Sequence, residues 1–252
     1  MAAVDLNADL GESFGQWTLG DDEAMLDLVT SANIACGFHA GDPSGLRRVC
    51  DAAAKRGVRI GAHVSFPDLA GFGRRHMTIP GHELTDIVLY QLGALDAFAQ
   101  VAGAEVTYVK PHGALYHAAS GDREVADAIV SAVVSYDPSM ALLGTPGSVL
   151  LAVGQERGLE IIPEGFVDRS YLPDGSLVPR AHPFALVDDP EAVGARAVQM
   201  VATGQVEAVD GATVPLAVRS LCVHGDTPGA VHLATEVRRA LTAAGIGIHP
   251  FT

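Results

Sequence analysis

Eight short runs of apolar or alternating character, at residues 4–10, 31–37, 59–65, 105–110, 140–144, 160–166, 218–223 and 246–249, recur along the chain with helical patterns between them. No other feature constrains the fold as much, because strands separated by helices pair in parallel through crossover connections. The segment carrying Leu84, Ile87, Val88, Leu92, Leu95 and Phe98 shows the intervals of three and four that gather apolar side chains on one helical face. With so many βα units and no strand-rich half, the expected class is α/β. A closed or nearly closed (β/α) barrel of seven or eight parallel strands ranks ahead of an open doubly wound sheet. A length of 252 residues suits one such domain and no composition break divides the chain, so a single (β/α)-barrel domain over 1–252 is expected. Nearly half the residues are hydrophobic, with few aromatics and many alanines and glycines, which suits helices packed closely on a sheet and excludes a disordered chain. The stretch 168–183 is rich in Pro, Gly and charge and reads as a long loop or short hairpin over one face, a length at which loops often serve as lids.

The formal net charge of −14 argues against nucleic-acid or anionic-membrane partners, which need stripes of Lys and Arg, and requires any anionic ligand to be held by local cations. The first ten residues lack a cationic segment followed by a long apolar one, so no secretory signal is expected. No apolar run approaches the roughly 18 residues of a membrane span. Cys36, Cys50 and Cys222 are odd in number and form no C-x-x-C pair, which fits small buried thiols in a reduced, cytoplasmic protein.

Two strand-to-helix turns resemble each other: Phe38-His39-Ala40-Gly41-Asp42-Pro43 and Val223-His224-Gly225-Asp226-Thr227-Pro228. In each, an Asp or Thr is suited to N-cap the helix, Pro to the first helical position, and a later Gly to the C-terminal end. The aspartates therefore have a structural reading, at roughly 1 kcal/mol per cap. The histidines do not. An imidazole just before a helix faces the positive end of its dipole, is held neutral, and is free to accept a proton or bind a metal.

Residues two apart on a strand share a face. Asp5, Asn7 and Asp9 therefore align on the first strand, His63 with Ser65 on the third, Lys110 with His112 on the fourth, Glu164 with Asp168 near the sixth, and His224 with Asp226 on the seventh. One buried Asp or His is commonly a hydrogen-bonded core residue. Five strands with such residues at the same end require that the groups face one another or a wet cleft, since each unpaired burial costs several kcal/mol. In parallel barrels that end carries the active site. Arg74 and Arg75 in GFGRR suit a carboxylate or phosphate clamp or a solvated loop; Arg169 and Arg180 flank the expected lid; Glu12 is a catalytic acid or part of its turn; Trp17 and Tyr116 line a pocket or pack. The chain has no G-x-x-x-x-G-K-[ST], G-x-G-x-x-G or G-x-S-x-G motif. His39, His63, His112, His224, Asp9 and Glu12 are the available metal ligands, without H-E-x-x-H spacing.

The blocks DLNADLGE at 5–12, SANIACGFHAGDP at 31–43, GAHVSFPD at 61–68, GFGRR at 71–75, VKPHGALYH at 109–117, PEGFVDRSYLPDGSLVPR at 163–180 and LCVHGD at 221–226 resemble the LamB/YcsF family. They run in order over most of the chain, departing at His117, where the family pattern has Asn. The resemblance implies a barrel of the glycoside hydrolase/deacetylase type, usually with seven strands. It also implies ATP-dependent opening of 5-oxo-L-proline to L-glutamate in a complex with two further 5-oxoprolinase subunits. Asp9, Glu12, His39, His63 and Lys110 are then the catalytic candidates, and Asn7, Arg74, Arg75, His112, Glu164 and Arg169 the substrate-binding ones. The cofactor expected is ATP, bound with or by the partner subunits, with a divalent metal left open, as is homo-oligomerisation. Two other readings stand beside it: a divalent-metal-dependent deacetylase or amidase, which needs no ATP, and a non-catalytic subunit that delivers a small acid to its partners.

Overall fold

The first strand, β1 (Ala3–Leu10), holds the fold together by pairing in parallel on both of its edges. In the computed structural model, which describes residues 2–227 and 229–251, the order continues with α1 (Asp22–Leu26), β2 (Ser31–Ala35), α2 (Pro43–Arg56) and β3 (Arg59–His63). There follow α3 (Gly81–Val101), β4 (Val106–Val109), α4 (Gly113–Gly121), α5 (Arg123–Tyr136), β5 (Ala141–Gly144), α6 (Val149–Glu156) and β6 (Glu160–Phe166). The chain ends with α7 (Pro190–Thr203), β7 (Gln205–Glu207), β8 (Thr213–Pro215), β9 (Ser220–Val223), α8 (Ala230–Ala243) and β10 (Gly247–Ile248).

Seven parallel strands, β1-β2-β3-β4-β5-β6-β9, form a ring that closes where Asp5 to Ala8 pair with Ser220 to Val223. The eighth expected strand becomes β10, which lies outside the ring. It pairs only with Ala3 and Val4, on the edge of β1 that carries β2 further along. Helices cover the outside. Leu6, Ala8 and Leu10 of β1, Leu46 and Val49 of α2, Leu92 and Leu95 of α3, and Val237 and Leu241 of α8 belong to one continuous buried apolar layer. Each such Leu or Val contributes about 1.5–3 kcal/mol when fully buried.

The inside of the ring is largely polar. Its apolar part is small: Tyr108, Ala141, Leu143 and Ile162, backed by Phe251. Tyr108 reaches across to donate its hydroxyl hydrogen to Asn33 Oδ1 at 2.7 Å. The ring of Tyr108 occupies the space a side chain on Gly61 would need, since a Cβ there would lie 2.1 Å from it.

The α2 turn behaves as its sequence predicts: Asp42 accepts from the N–H groups of Ser44 and Gly45, Pro43 opens the helix, and Gly57 closes it at φ +68°. The α8 turn does not. Its N-cap is Gly229 with no side-chain bond, Asp226 is drawn into an ion pair with Arg74 at 2.5 Å, and Pro228 lies outside the described residues. The stretch 168–187 forms a short hairpin-like lobe, with bridges Arg169–Leu186 and Tyr171–Leu177. Fully buried Arg169 straps it by donating to the carbonyls of Val178 at 2.7 Å and Ala185 at 3.2 Å.

Candidate active site

The inward-facing residues of β1 climb the barrel axis in three levels. At the bottom, Asp5 accepts from Thr30 Oγ1 at 2.7 Å, Ser31 Oγ at 2.6 Å and Ser220 Oγ. Burial raises its carboxyl to about 6, with the three hydroxyls acting against that rise. One level up, the Asn7 amide donates to Ser220 Oγ at 2.7 Å and its oxygen accepts from Asn33 at 2.7 Å. At the third level Asp9 accepts from Asn33 at 2.8 Å and faces His63 Nε2 at 3.3 Å.

Lys110, at the end of β4, joins the upper levels. Its ammonium lies 3.0 Å from Asp9 Oδ1, 3.2 Å from Glu164 Oε2, 3.3 Å from Asn7 Oδ1 and 3.1 Å from Cys222 Sγ. Burial works against this cation, but Asp9 and Glu164 hold it well above the usual lysine range. Burial likewise opposes ionisation of Asp9, yet His63 and Lys110 hold its carboxyl well below the usual carboxylate range. Asn7, Glu164 and Lys110 are thus engaged by the protein itself and form the floor.

Above the floor, four residues from successive strand ends meet. Glu12 Oε1 lies 3.2 Å from His39 Nε2 and 3.5 Å from His112 Nδ1, and His112 Nδ1 is 3.0 Å from His63 Nε2. The rings of His39 and His112 stack at 3.8 Å. Burial pushes both imidazoles well below their usual range. Burial and the neighbouring Asp9 charge push the Glu12 carboxyl well above its own. Gly73, at φ +64°, backs this group: a Cβ there would lie 2.8 Å from the His112 ring and 2.9 Å from His39 Cβ. On the other arc of the ring, His224 Nδ1 lies 3.0 Å from both oxygens of Asp168, whose Oδ2 also accepts from the His224 backbone N–H. That pair fixes the imidazole as an Nδ1–H donor and leaves Nε2 free for chemistry.

These walls enclose a hollow of about 560 Å³ at the carboxyl ends of the strands, within the range of small-molecule sites. Asp9, His63, Lys110, His112 and His224 line it below; Tyr116 and Phe166 supply aromatic walls; Arg74, His76, His117 and Arg180 surround the mouth. Convergence is therefore the outcome for Asn7, Asp9, Glu12, His39, His63, Lys110, His112 and Glu164. Arg74 reaches the rim. Arg169 lines the hollow, with its guanidinium turned to backbone carbonyls. Arg75 is not brought in: it is 66 % exposed along its side chain and pairs with Asp68. Trp17 is also excluded, exposed at the tip of the Phe14–Trp17 turn. Residues without a strong sequence signal include Tyr108 and Ser220. Asn33 had one, since alternation on β2 places it on the inward face with Ser31.

A seven-stranded (β/α) barrel with histidines and carboxylates gathered in a hollow at its strand ends is the class this chain defines. The chain belongs to the LamB/YcsF family, whose model matches residues 4–252. It is similar to the 5-oxoprolinase A subunit of Mycolicibacterium gilvum (strain PYR-GCK), 56 % identical over 252 residues and the full length of both chains. It is also similar to that of Streptomyces coelicolor, 58 % identical over 98 % of this chain and 99 % of the relative. Among solved structures, the lactam utilization protein from Thermus thermophilus superposes with a TM-score of 0.94 at 45 % identity, covering 99 % of this chain and 100 % of that one. A putative cellobiose-phosphate cleavage protein from Enterococcus faecalis V583, 13 % identical with a TM-score of 0.56 over 98 % of this chain and 96 % of that one, shares the fold alone.

Proposed function

We propose that this chain is the ring-opening subunit of an ATP-dependent 5-oxoprolinase, converting 5-oxo-L-proline to L-glutamate with two partner subunits and hydrolysis of ATP to ADP and phosphate. The observation that carries this reading is the pairing of two proton-handling groups on opposite arcs of one hollow. One reaches the hollow through Asp9, His63 and His112, with Glu12 and His39 behind them; the other reaches it through His224, with Asp168 behind it. The relatives named as 5-oxoprolinase A subunits and as a lactam utilization protein supply the substrate class.

A five-membered lactam is a resonance-stabilised amide, so its carbonyl must be activated before water attacks. ATP, held with or by the partner subunits, serves as the phosphate donor to the carbonyl oxygen, giving an imidate-like phosphate. Water adds to that carbon, and the cluster around Asp9 accepts its proton. The adduct then has two exits. Loss of phosphate would regenerate the lactam, whereas loss of the amine gives an acyl phosphate that a second water converts to glutamate and phosphate. Protonation of the ring nitrogen decides between them; we assign that protonation to His224, a role supported by its position on the hollow and its bond to Asp168. Arg74 and Arg180 at the mouth are cations for the phosphate and the substrate carboxylate.

The test is release of glutamate and phosphate from 5-oxoproline and ATP by this chain alone, by its partners alone, and by the mixture. Product should form only in the mixture, and Asp9→Asn or His224→Gln should each lower kcat at least about 100-fold, as general acid–base groups do. Unchanged turnover in both variants would remove the assignment.

A further inference from the structure

We infer that Glu12, His39, His63 and His112 form a binding site for one divalent transition-metal ion. The inference holds whichever substrate the hollow accepts. Each of the four residues offers one ligand atom, and all four atoms lie within 4.8 Å of one another.

The tautomers favour a cation there. His63 Nδ1 faces the carbonyl oxygen of Lys110 at 3.0 Å, and His112 Nε2 faces that of Phe72 at 2.9 Å. A carbonyl only accepts, so each of those nitrogens carries the hydrogen. With both rings neutral, the remaining nitrogens, His63 Nε2 and His112 Nδ1, would be bare lone pairs pointing at each other across 3.0 Å. Glu12 Oε1 closes on the same space from 3.5 Å, and Asp9 Oδ2 stands 3.3 Å from His63 Nε2. Lone pairs and carboxylate oxygens do not crowd together without positive charge between them. A proton on His63 Nε2 relieves the contacts to His112 and Asp9, and a second on Glu12 would relieve the contact to His39 Nε2 at 3.2 Å; a single ion takes the place of both. Further protons are disfavoured by the face-to-face stacking of His39 on His112 at 3.8 Å, which would set like charges against each other. One ion among the four donors satisfies all of them.

The dimensions and chemistry agree. Metal–nitrogen and metal–oxygen bonds of about 2.0–2.2 Å put tetrahedral donors roughly 3.3–3.5 Å apart. The contacts here are 3.0, 3.2 and 3.5 Å. Backbone carbonyls holding the far nitrogens of two imidazoles are the support that metal-ligating histidines commonly have. His39 Nδ1 is buried without a partner, so no competing bond prevents His39 Nε2 from presenting its lone pair. Three imidazoles and one carboxylate suit Zn²⁺ or another late first-row ion rather than Mg²⁺ or Ca²⁺. His63 and His112 border the hollow, so a bound ion would present a Lewis acid to its contents.

The experiment uses the full chain without an affinity tag, stripped with chelator and titrated with Zn²⁺ and separately with Mn²⁺ by calorimetry. Metal content is measured after dialysis, and X-ray absorption reads the ligand set of the unmodified protein. One ion per chain is expected, with a shell of three imidazole nitrogens and carboxylate oxygen and a Tm that rises on loading. Glu12→Gln and His112→Ala should weaken binding at least about 100-fold, beyond the range for loss of a supporting contact. Absence of saturable one-to-one binding would overturn the inference. So would undiminished affinity in Glu12→Gln, a near-isosteric change, because the ion would then sit on exposed histidines such as His76 or His82. All these readings are made without substrate, so they stand apart from the outcome of the 5-oxoproline assay.

Discussion

Lys110 is the one cation that touches both Asp9 and Glu164 inside the barrel, among the described residues. Lys110→Met would leave two carboxyl groups facing each other without it. Such one-sided removal costs about 3–5 kcal/mol, and urea unfolding should show a loss of that size. Asp5 makes a pH-dependent contribution. Burial raises its folded-state value to about 6, above that of the unfolded chain, so folding favours its protonated form. The associated stability is fully present below about pH 4 and is lost as pH rises through about 6. The parent should lose up to about 3 kcal/mol across that window from this group. Asp5→Asn should flatten the corresponding segment of unfolding free energy against pH; parallel curves for the two proteins would contradict it. At this scale alternation alone reveals Asp5, Asn7, Asp9, His63 and Lys110, because an ionisable residue at every second strand position has few explanations. Tyr108 was hidden, since an aromatic on a strand usually belongs to the apolar layer. Only the folded arrangement reveals that Gly61 makes room for it.

Individual elements were legible to different degrees. The ring strands were readable within a few residues because most of the apolar runs end at or within two residues of a Gly or Pro. The β7–β8 hairpin was not, as three-residue strands carry too little pattern. The two similar turns illustrate why capping is a weak forecast. Asp42 caps α2 and also accepts from Gly15 N–H at 3.0 Å, whereas Asp226 is taken by Arg74. A tertiary ion pair outcompetes a local bond when the partner loop comes close; Gly225, just before Asp226, lets this turn sit against the end of β1, since a Cβ there would lie 2.3 Å from the Asp9 carbonyl oxygen. Asp42→Ala should therefore destabilise by about 1–2 kcal/mol in thermal or urea unfolding. Asp226→Ala should cost under about 1 kcal/mol, as expected for a partly exposed pair that caps nothing.

Across the whole molecule, a net charge of −14 surrounds a mouth that carries Arg74 and Arg180. Anionic substrates are thus attracted locally and repelled globally. Since the Debye length is about 10 Å at 0.1 M salt, Arg180→Ala should raise KM with little change in kcat, and the gap between variant and parent should narrow as salt increases. A gap independent of ionic strength would mean that Arg180 acts by shape instead. No helix among the described residues is long and apolar enough to cross a membrane. Sequence order alone could not show that the ring closes at seven, because β10 has the same local signature as its neighbours and is excluded only by pairing low on β1. The polar axis has a consequence for how such a chain can change over generations. Ser31 and Ser220, from two other strands, both donate to Asp5, so an oily residue in place of Asp5 would strand both hydroxyls, and one in place of either serine would take a donor from the buried carboxylate. Drift should accumulate on the helices, while letters inside the staves turn over only as matched sets.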